Sequence, residues 1–286
     1  MSVRELDSPP SLTALYPRAV GVPLLRKLPG LGAGRELPGT ELEVRDVETD
    51  QGHLAAYDEV CGFTRADVLP PTYPHIVGFP LAVRIMAERA FPFPLLGLVH
   101  IGNEIVQRRP IGAEEPLTVR VRAQDLEPHE RGTQFAMAAE ARVGEELVWS
   151  SRSVYLHRHG KPSGSKPKDG EREGPAPART HWRVPDDIGR RYGAVSGDRN
   201  PIHLHAWSAK LFGMPRPIAH GMWVTARCLA ELEPTLPEAF SVDVRFKLPL
   251  FLPAQVAFGT REDGGFEVRD ASSGKPHLTG ALSPGA

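Results

Sequence analysis

The chain has 286 residues, of which 41% are hydrophobic and 24% are charged, and its formal net charge is −1. This composition supports a substantial core and excludes the charge-rich, apolar-poor class of disordered chains. The near-zero net charge also excludes the global basic field that selects nucleic acid or anionic membranes, so neither partner is expected.

The N-terminal residues and the cysteines indicate the compartment. Arg4, Glu5 and Asp7 precede a Pro-rich stretch that lacks the apolar core of a signal peptide, and no run of about 20 apolar residues follows. Cys61 and Cys228 are the only two cysteines, and they form no Cys-x-x-Cys pattern. We therefore expect a cytoplasmic protein without membrane insertion.

The first half of the chain predicts one helix followed by an antiparallel meander. Residues 79–89 carry apolar side chains at helical spacing. Turn residues at 129–132 and at Gly144 then separate three β-branched or alternating segments, which cover residues 116–125, 133–143 and 146–157. A helix and the sheet after it make up the predicted unit.

Residues 158–178 form the clearest break in composition. This stretch, RHGKPSGSKPKDGEREGPAPA, is rich in Pro, Gly and charged residues and predicts an exposed linker. The same order of elements then returns, with a helical segment at 222–232 and strand candidates at 241–247, 255–260, 265–269 and 277–282. We therefore predict two units, residues 1–157 and 179–286, joined by this linker.

Short matches between the two units favour an internal duplication. They pair residues 57–62 with 192–197 at an offset of 135, Pro74 and Gly78 with Pro217 and Gly221 at an offset of 143, and residues 109–111 with 248–250. The second unit is then about eight residues longer between the first two matches. Because the three matches follow in the same order, we expect both units to have the same fold.

Two sequence blocks in the second unit carry the chemistry. Residues 196–203 read Ser-Gly-Asp-Arg-Asn-Pro-Ile-His, and residues 218–222 read Ile-Ala-His-Gly-Met. Together they resemble the hydratase signature of the MaoC family, in which S-G-D-x-N-P-(I/L)-H is followed by (I/V)-A-H-G-M. Both blocks match without a gap, which makes the resemblance specific.

Asp198 and His203 are the predicted catalytic pair. Hydration of a 2-enoyl thioester needs one group to take a proton from water and another to deliver a proton at C2. Asn200 and Pro201 separate the two residues, and because proline restricts its own backbone and that of the residue before it, the turn is rigid enough to direct both side chains at one water. Which of them transfers which proton stays open, because a shared site couples their titrations.

The remaining candidates surround this pair. Gly221 lies where the second long helix is expected to begin, where unpaired backbone N–H groups can bind the thioester oxyanion, and the resemblance implies the same role. Asn200 and Ser196 are predicted to support the loop, with a purely structural turn as the alternative for Asn200. Met222 and His220 are predicted to contact substrate, although His220 is as well suited to packing at the helix start.

The first unit lacks the catalytic pair. At the offset of 135, Phe63 and Val68 stand where the second unit has Asp198 and His203. Similar double hot dog proteins use such a degenerate half to hold the acyl chain, so the resemblance implies substrate contacts at Phe63 and Phe79. It also implies an α+β double hot dog fold, in which two helix-wrapped antiparallel sheets join edge to edge as a pseudo-dimer.

The resemblance implies reversible hydration of trans-2-enoyl thioesters to (R)-3-hydroxyacyl thioesters, carried on coenzyme A or on an acyl carrier protein, without a cofactor. A non-catalytic acyl-thioester binding protein and a hot dog thioesterase are the alternatives. His203, His205 and His220 also suggest a metal site, but no Cys or carboxylate at familiar ligand spacing accompanies them, so no metal is predicted. A homodimer is compatible with the sequence.

Overall fold

A computed structural model describes residues 3–12, 15, 36–95, 97–159 and 174–285. Most of the predicted linker therefore lies outside the described residues. The elements of the first half are β1 (Val3–Leu6), β2 (Glu41–Val47), α1 (Gln51–Cys61), α2 (Tyr73–Met86), β3 (Leu98–Gln107), β4 (Leu117–His129), β5 (Gly132–Val143) and β6 (Glu146–Arg158). Those of the second half are β7 (Ala178–Val184), α3 (Ile188–Ser196), α4 (Pro201–Leu204), α5 (Ala206–Leu211), α6 (Gly221–Leu232), β8 (Phe240–Phe246), β9 (Ala254–Thr260), β10 (Gly265–Asp270) and β11 (Pro276–Pro284).

The described strands form one sheet in the order β1-β2-β4-β5-β6-β3-β8-β11-β10-β9-β7. Apart from β1, the order within the first half, β2-β4-β5-β6-β3, is mirrored in the second as β7-β9-β10-β11-β8. The halves join where β3 pairs with β8 in antiparallel register from Gly102↔Arg245 to Gln107↔Phe240. The chain thus has the predicted α+β double hot dog fold, with an edge-to-edge junction.

The structure contains the predicted types of element, but the bounds of some elements differ from the prediction. The meander is confirmed, with β4, β5 and β6 antiparallel in sequence order. The predicted helix at 79–89 instead spans Tyr73–Met86, with Pro74 in its first turn and Pro80 inside it. Proline is favourable only in the first turn of a helix, so the position of Pro80 suggested that the helix begins near residue 79.

The long helices α2 and α6 bury their apolar faces in the core. Leu81 and Ile85 of α2 and Leu229 of α6 are fully buried, and burying each such side chain stabilises the fold by about 1.5–3 kcal/mol. On the first half, Trp149 of β6 is also fully buried, and its indole N–H donates to the carbonyl of Pro71, 2.7 Å away, just before α2 begins. The sheet therefore fixes the position of this helix start.

Two of the three matches between the halves correspond in structure. The helices α1 and α3 end at Gly62 and Gly197, which both adopt the left-handed backbone conformation that glycine favours. The carbonyls of Ile111 and Leu250 each accept a hydrogen bond from the segment before the long helix of their own half. These positions confirm that the two halves repeat one fold.

The match of Pro74 and Gly78 with Pro217 and Gly221 is wrong. Gly78 lies inside α2, whereas Gly221 is the first residue of α6, whose N-cap is His220. The isolated β-bridges Val68↔Gly112 and Ile218↔Phe251 occupy the same place before each long helix. Val68 is therefore the counterpart of Ile218 and not of His203.

The second half carries an insertion. Gly62 and the N-cap Thr72 of α2 are ten residues apart, whereas Gly197 and His220 are 23 apart. The additional length contains α4 and α5, and α4 carries His203. The first half thus lacks the segment on which a second histidine would stand.

Candidate active site

The loop after α3 is held in shape by its own side chains. The backbone N–H of Asp198 donates to Ser196 Oγ over 3.2 Å, and that of Asn200 donates to Asp198 Oδ1 over 3.1 Å. Asn200 is also the N-cap of α4, where its side-chain oxygen accepts from the N–H of Ile202. Ser196 therefore bonds within the loop, and Asn200 fixes the start of the helix that carries His203, while the supporting role of both in the reaction stays a prediction.

His203 is buried and oriented by one hydrogen bond. Its Nδ1 lies 2.8 Å from the carbonyl oxygen of Ile218, and because a carbonyl can only accept, Nδ1 carries the proton of the neutral ring. Burial lowers the pKa of His203, although the charge of Asp198 and the bond to Ile218 oppose the shift. Nε2 of the neutral ring therefore has a lone pair, as a general base requires.

His220 connects the start of α6 to the loop. Its ring stacks on that of His203 with centroids 3.7 Å apart, and its Nε2 donates to the backbone carbonyl of Asp198 over 2.9 Å. Burial and the neighbouring His203 lower the pKa of His220 to about 3. Packing at the helix start, one of the two predicted roles, is thus present, and the side chain also lines the cavity described next.

A cavity of about 730 Å³ lies between the halves. The predicted site residues that line it are Ser196, Asp198, Asn200, His203, His220, Gly221, Met222 and Phe79. The described lining does not include Phe63, which is buried in the core next to the end of α1. The prediction of a substrate contact at Phe63 is therefore wrong, because it relied on the linear alignment of the two halves.

Gly221 is the first residue of α6, where backbone N–H groups have no acceptor within the helix. A side chain here would collide with the ring of Phe246, because a Cβ atom at Gly221 would be 2.8 Å from two of its carbons. Glycine is required for this packing. Gly221 also lines the cavity, so a ligand there can reach its backbone, as an oxyanion donor needs.

Sequence reasoning missed three polar side chains on the opposite wall. His75 of α2, His100 of β3 and Tyr155 of β6 line the same cavity. Burial lowers the pKa of His75 to about 4 and that of His100 to about 3, and it raises the pKa of Tyr155. The charge of Asp198 contributes to all three values, so these groups face the same space as the loop. Side chains alternate between the two faces along β3 and β6, which was the available signal in the sequence. Only the strand order of the sheet shows which of these faces meets the cavity.

Two glycines of α3 were also missed. A Cβ atom at Gly189 would lie 2.0 Å from the carbonyl oxygen of His203, and one at Gly193 would lie 2.9 Å from that of Asp198. Both glycines let the loop approach the helix more closely than any side chain allows. Glycine twice within one helix, where it is unfavourable, was the signal in the sequence.

Asp198, His203 and His220 place one potential ligand atom each within 4.8 Å of one another. Their geometry suits a metal poorly, because the two rings are stacked at 25° and their in-plane lone pairs do not converge on one point. Nδ1 of His203 and Nε2 of His220 are also bonded to carbonyl oxygens. The prediction of an acid–base site without a metal stays a prediction.

The neutral histidines make stability depend on pH. The pKa of His100 is about 3 in the folded protein against an ordinary value of 6.5, so below pH 6.5 the unfolded chain binds a proton that the folded chain does not. This contribution is fully present above pH 6.5 and is lost as the pH falls toward 3, by about 1.4 kcal/mol per pH unit. His75 and His220 act in the same direction, while Asp58, whose pKa burial raises to about 7, opposes them.

We expect His100→Phe to reduce this dependence. Urea unfolding at pH 7.5 and pH 5.5 should show that the wild type loses about 1.4 kcal/mol more than the variant over this interval. Asp58 and the other histidines are the same in both proteins, so the difference isolates His100. Equal losses in the two proteins would contradict a neutral, buried His100.

None of the described helices combines the length and apolar character needed to cross a membrane.

Comparison with known proteins relates this geometry to a family. The family model "MaoC like domain" matches residues 167–277. The 3-hydroxyacyl-thioester dehydratase X of Mycobacterium tuberculosis is 35% identical over 283 residues, which cover 97% of this chain and 99% of the relative. A crystal structure of HtdX from the same organism has a TM-score of 0.76 at 35% identity, over 85% of this chain and 99% of the other.

A MaoC-like dehydratase from Phytophthora capsici shares the fold, with a TM-score of 0.70 at 17% identity over 87% of this chain and 96% of the other. The 35% identity to the mycobacterial protein extends over nearly the whole of both chains. The chain therefore belongs to the MaoC-like dehydratase family.

Proposed function

We propose that this protein reversibly hydrates trans-2-enoyl thioesters to (R)-3-hydroxyacyl thioesters, with Asp198 and His203 as the catalytic pair. The observation that carries the proposal is that the loop after α3 and the short helix α4 bring the two side chains to one cavity shared by the two halves. The name of the mycobacterial relative, a 3-hydroxyacyl-thioester dehydratase, supports the reaction class.

In the hydration direction, Asp198 and the neutral His203 bind a water molecule between them. One of the two takes a proton from the water as its oxygen bonds to C3, and the C2–C3 double bond becomes the enolate of the thioester. A proton is then delivered to C2, which completes the addition of one water. The two transfers belong to the coupled pair rather than to one residue each.

The enolate places negative charge on the thioester oxygen. The N–H of Gly221 at the start of α6 is the donor we assign to it, because an unpaired N–H at a helix N-terminus stabilises developing negative charge. His220, next to Gly221, is neutral and therefore adds no negative charge that would repel the enolate oxygen. The chemistry needs acid–base groups and a hydrogen-bond donor, so no cofactor is part of the proposal.

The two halves have different roles in this proposal. The unit at 179–286 carries the reacting groups, and the unit at 1–157 supplies apolar wall for the acyl chain, including Phe79, Val83 and Met86 of α2. The protein in this account is cytoplasmic, and a homodimer remains compatible with it.

Removing either catalytic group should abolish most turnover without unfolding the protein. We expect Asp198→Asn and His203→Ala each to lower kcat/KM for crotonyl-CoA by at least about a hundredfold, the usual contribution of a general acid–base group. Loss of the enoyl absorbance measures the rate. The exposed Asp186→Asn and His181→Ala provide matched controls. Turnover close to wild type in either catalytic variant would refute the assignment.

Gly189 should matter through the position of His203. In Gly189→Ala the added methyl group would lie 2.0 Å from the His203 carbonyl oxygen, so α4 has to move. We expect kcat/KM to fall roughly a hundredfold, as a displacement of about 1 Å can cause, while circular dichroism stays native.

The control for Gly189→Ala is Gly39→Ala, whose methyl group meets nothing within 4 Å. Alanine is the better helix former, so a merely local role for Gly189 predicts unchanged activity and a small gain in stability. That result would contradict the positioning role.

A further inference from the structure

The polar side chains on the first-half wall form what we call the His100 cluster, consisting of His75, His100 and Tyr155. His100 and Tyr155 are direct partners across β3 and β6, so their side chains lie on the same face of the sheet. Their rings stack with centroids 4.6 Å apart, and the ring of His75 lies 6.5 Å beyond His100. Apolar side chains of the same half also line the cavity, among them Phe79, Val83, Met86, Leu95 and Leu98.

His100 presents a lone pair to the cavity. Nε2 is buried and has no hydrogen-bond partner among the described residues. A backbone hydrogen bond to Gly102 raises the pKa of the ring, as a carbonyl that accepts from a ring N–H does, so Nδ1 carries the proton. Burial nevertheless keeps the pKa near 3 and the ring neutral. Nε2 is therefore an acceptor that needs a donor.

Tyr155 supplies the complementary group. Burial and the charge of Asp198 raise the pKa of its hydroxyl, so the proton stays on the oxygen and can be donated. One ligand atom that both donates to His100 and accepts from Tyr155 satisfies the pair. A hydroxyl oxygen can both donate and accept, whereas an alkyl chain can do neither. A carboxylate is disfavoured because the neutral histidines do not offset its charge and Asp198 repels it.

The cluster lies beyond the reacting atoms. The ring of Phe246 packs against Gly221 on one side and its centroid is 5.0 Å from that of His100 on the other. Phe246 therefore contacts both positions, and in our proposal the acyl chain of a thioester whose carbonyl lies at Gly221 runs along Phe246 to His100. The group that meets the cluster belongs to the acyl chain and not to the C2–C3 pair.

We propose that the His100 cluster is a specificity subsite for a hydroxyl group on the acyl chain, so that the preferred substrates are 2-enoyl thioesters with an additional chain hydroxyl. This inference rests on the proposed hydratase function and names its substrate class. A plain alkyl chain would leave Nε2 buried and unpaired, at a cost of about 1–3 kcal/mol, which corresponds to at least a fivefold loss in kcat/KM.

The test compares trans-2-decenoyl-CoA with four derivatives that carry one hydroxyl group at successive carbons from C6 to C9. We expect the wild type to prefer at least one derivative about tenfold or more in kcat/KM. In His100→Phe the ratio of that derivative to the plain substrate should fall to about one, and Tyr155→Phe should lower it in part. His100→Gln, which keeps an acceptor, should retain a preference.

His129→Phe is the matched control. His129 lines the same cavity, its Nδ1 accepts from the backbone N–H of Arg131, and neither of its ring nitrogens is buried without a partner, so its loss should leave the ratio unchanged. No preference for any derivative in the wild type, or an equal ratio in wild type and His100→Phe, would overturn the subsite. Failure of the wild type to turn over all five thioesters would instead refute the hydratase function itself.

Discussion

The contact between the His203 and His220 rings connects the parts of the candidate site. His220 is the N-cap residue of α6, and its ring stacks on His203 and donates to the backbone carbonyl of Asp198, so this side chain fixes the helix start relative to both proposed catalytic residues. Because these rings are buried, they stay neutral, and His203 keeps the lone pair that a base requires. Displacing any of these groups would separate the proposed base from the proposed oxyanion donor.

The double fold explains why only one half carries the proposed pair. The halves share strand order and meet at the β3–β8 pair, yet α4, the helix that carries His203, lies in an insertion that the first half lacks. The first half instead places α2 and β3 along the cavity. In the proposed function, the first unit serves as the wall for the substrate of the second, and its polar residues select among acyl chains.

Sequence patterns predicted the fold class, the meander and the loop around Asp198, because these depend on local alternation and on a continuous motif. They failed where distant segments had to be aligned. Phe63 and Val68 were paired with Asp198 and His203 by a constant offset, although the insertion between Gly197 and His220 breaks that correspondence. His100 and Gly189 also required the structure, since their roles depend on which strand or loop packs against them.

The central claim is that the site activates water for attack at C3 and leaves the thioester bond intact. The most direct test is turnover of crotonyl-CoA in water enriched in oxygen-18, with mass spectrometry of the products. The account predicts 3-hydroxybutyryl-CoA with one labelled oxygen at C3 and no free thiol. Labelled carboxylic acid together with released coenzyme A would show attack on the thioester carbonyl and contradict the account.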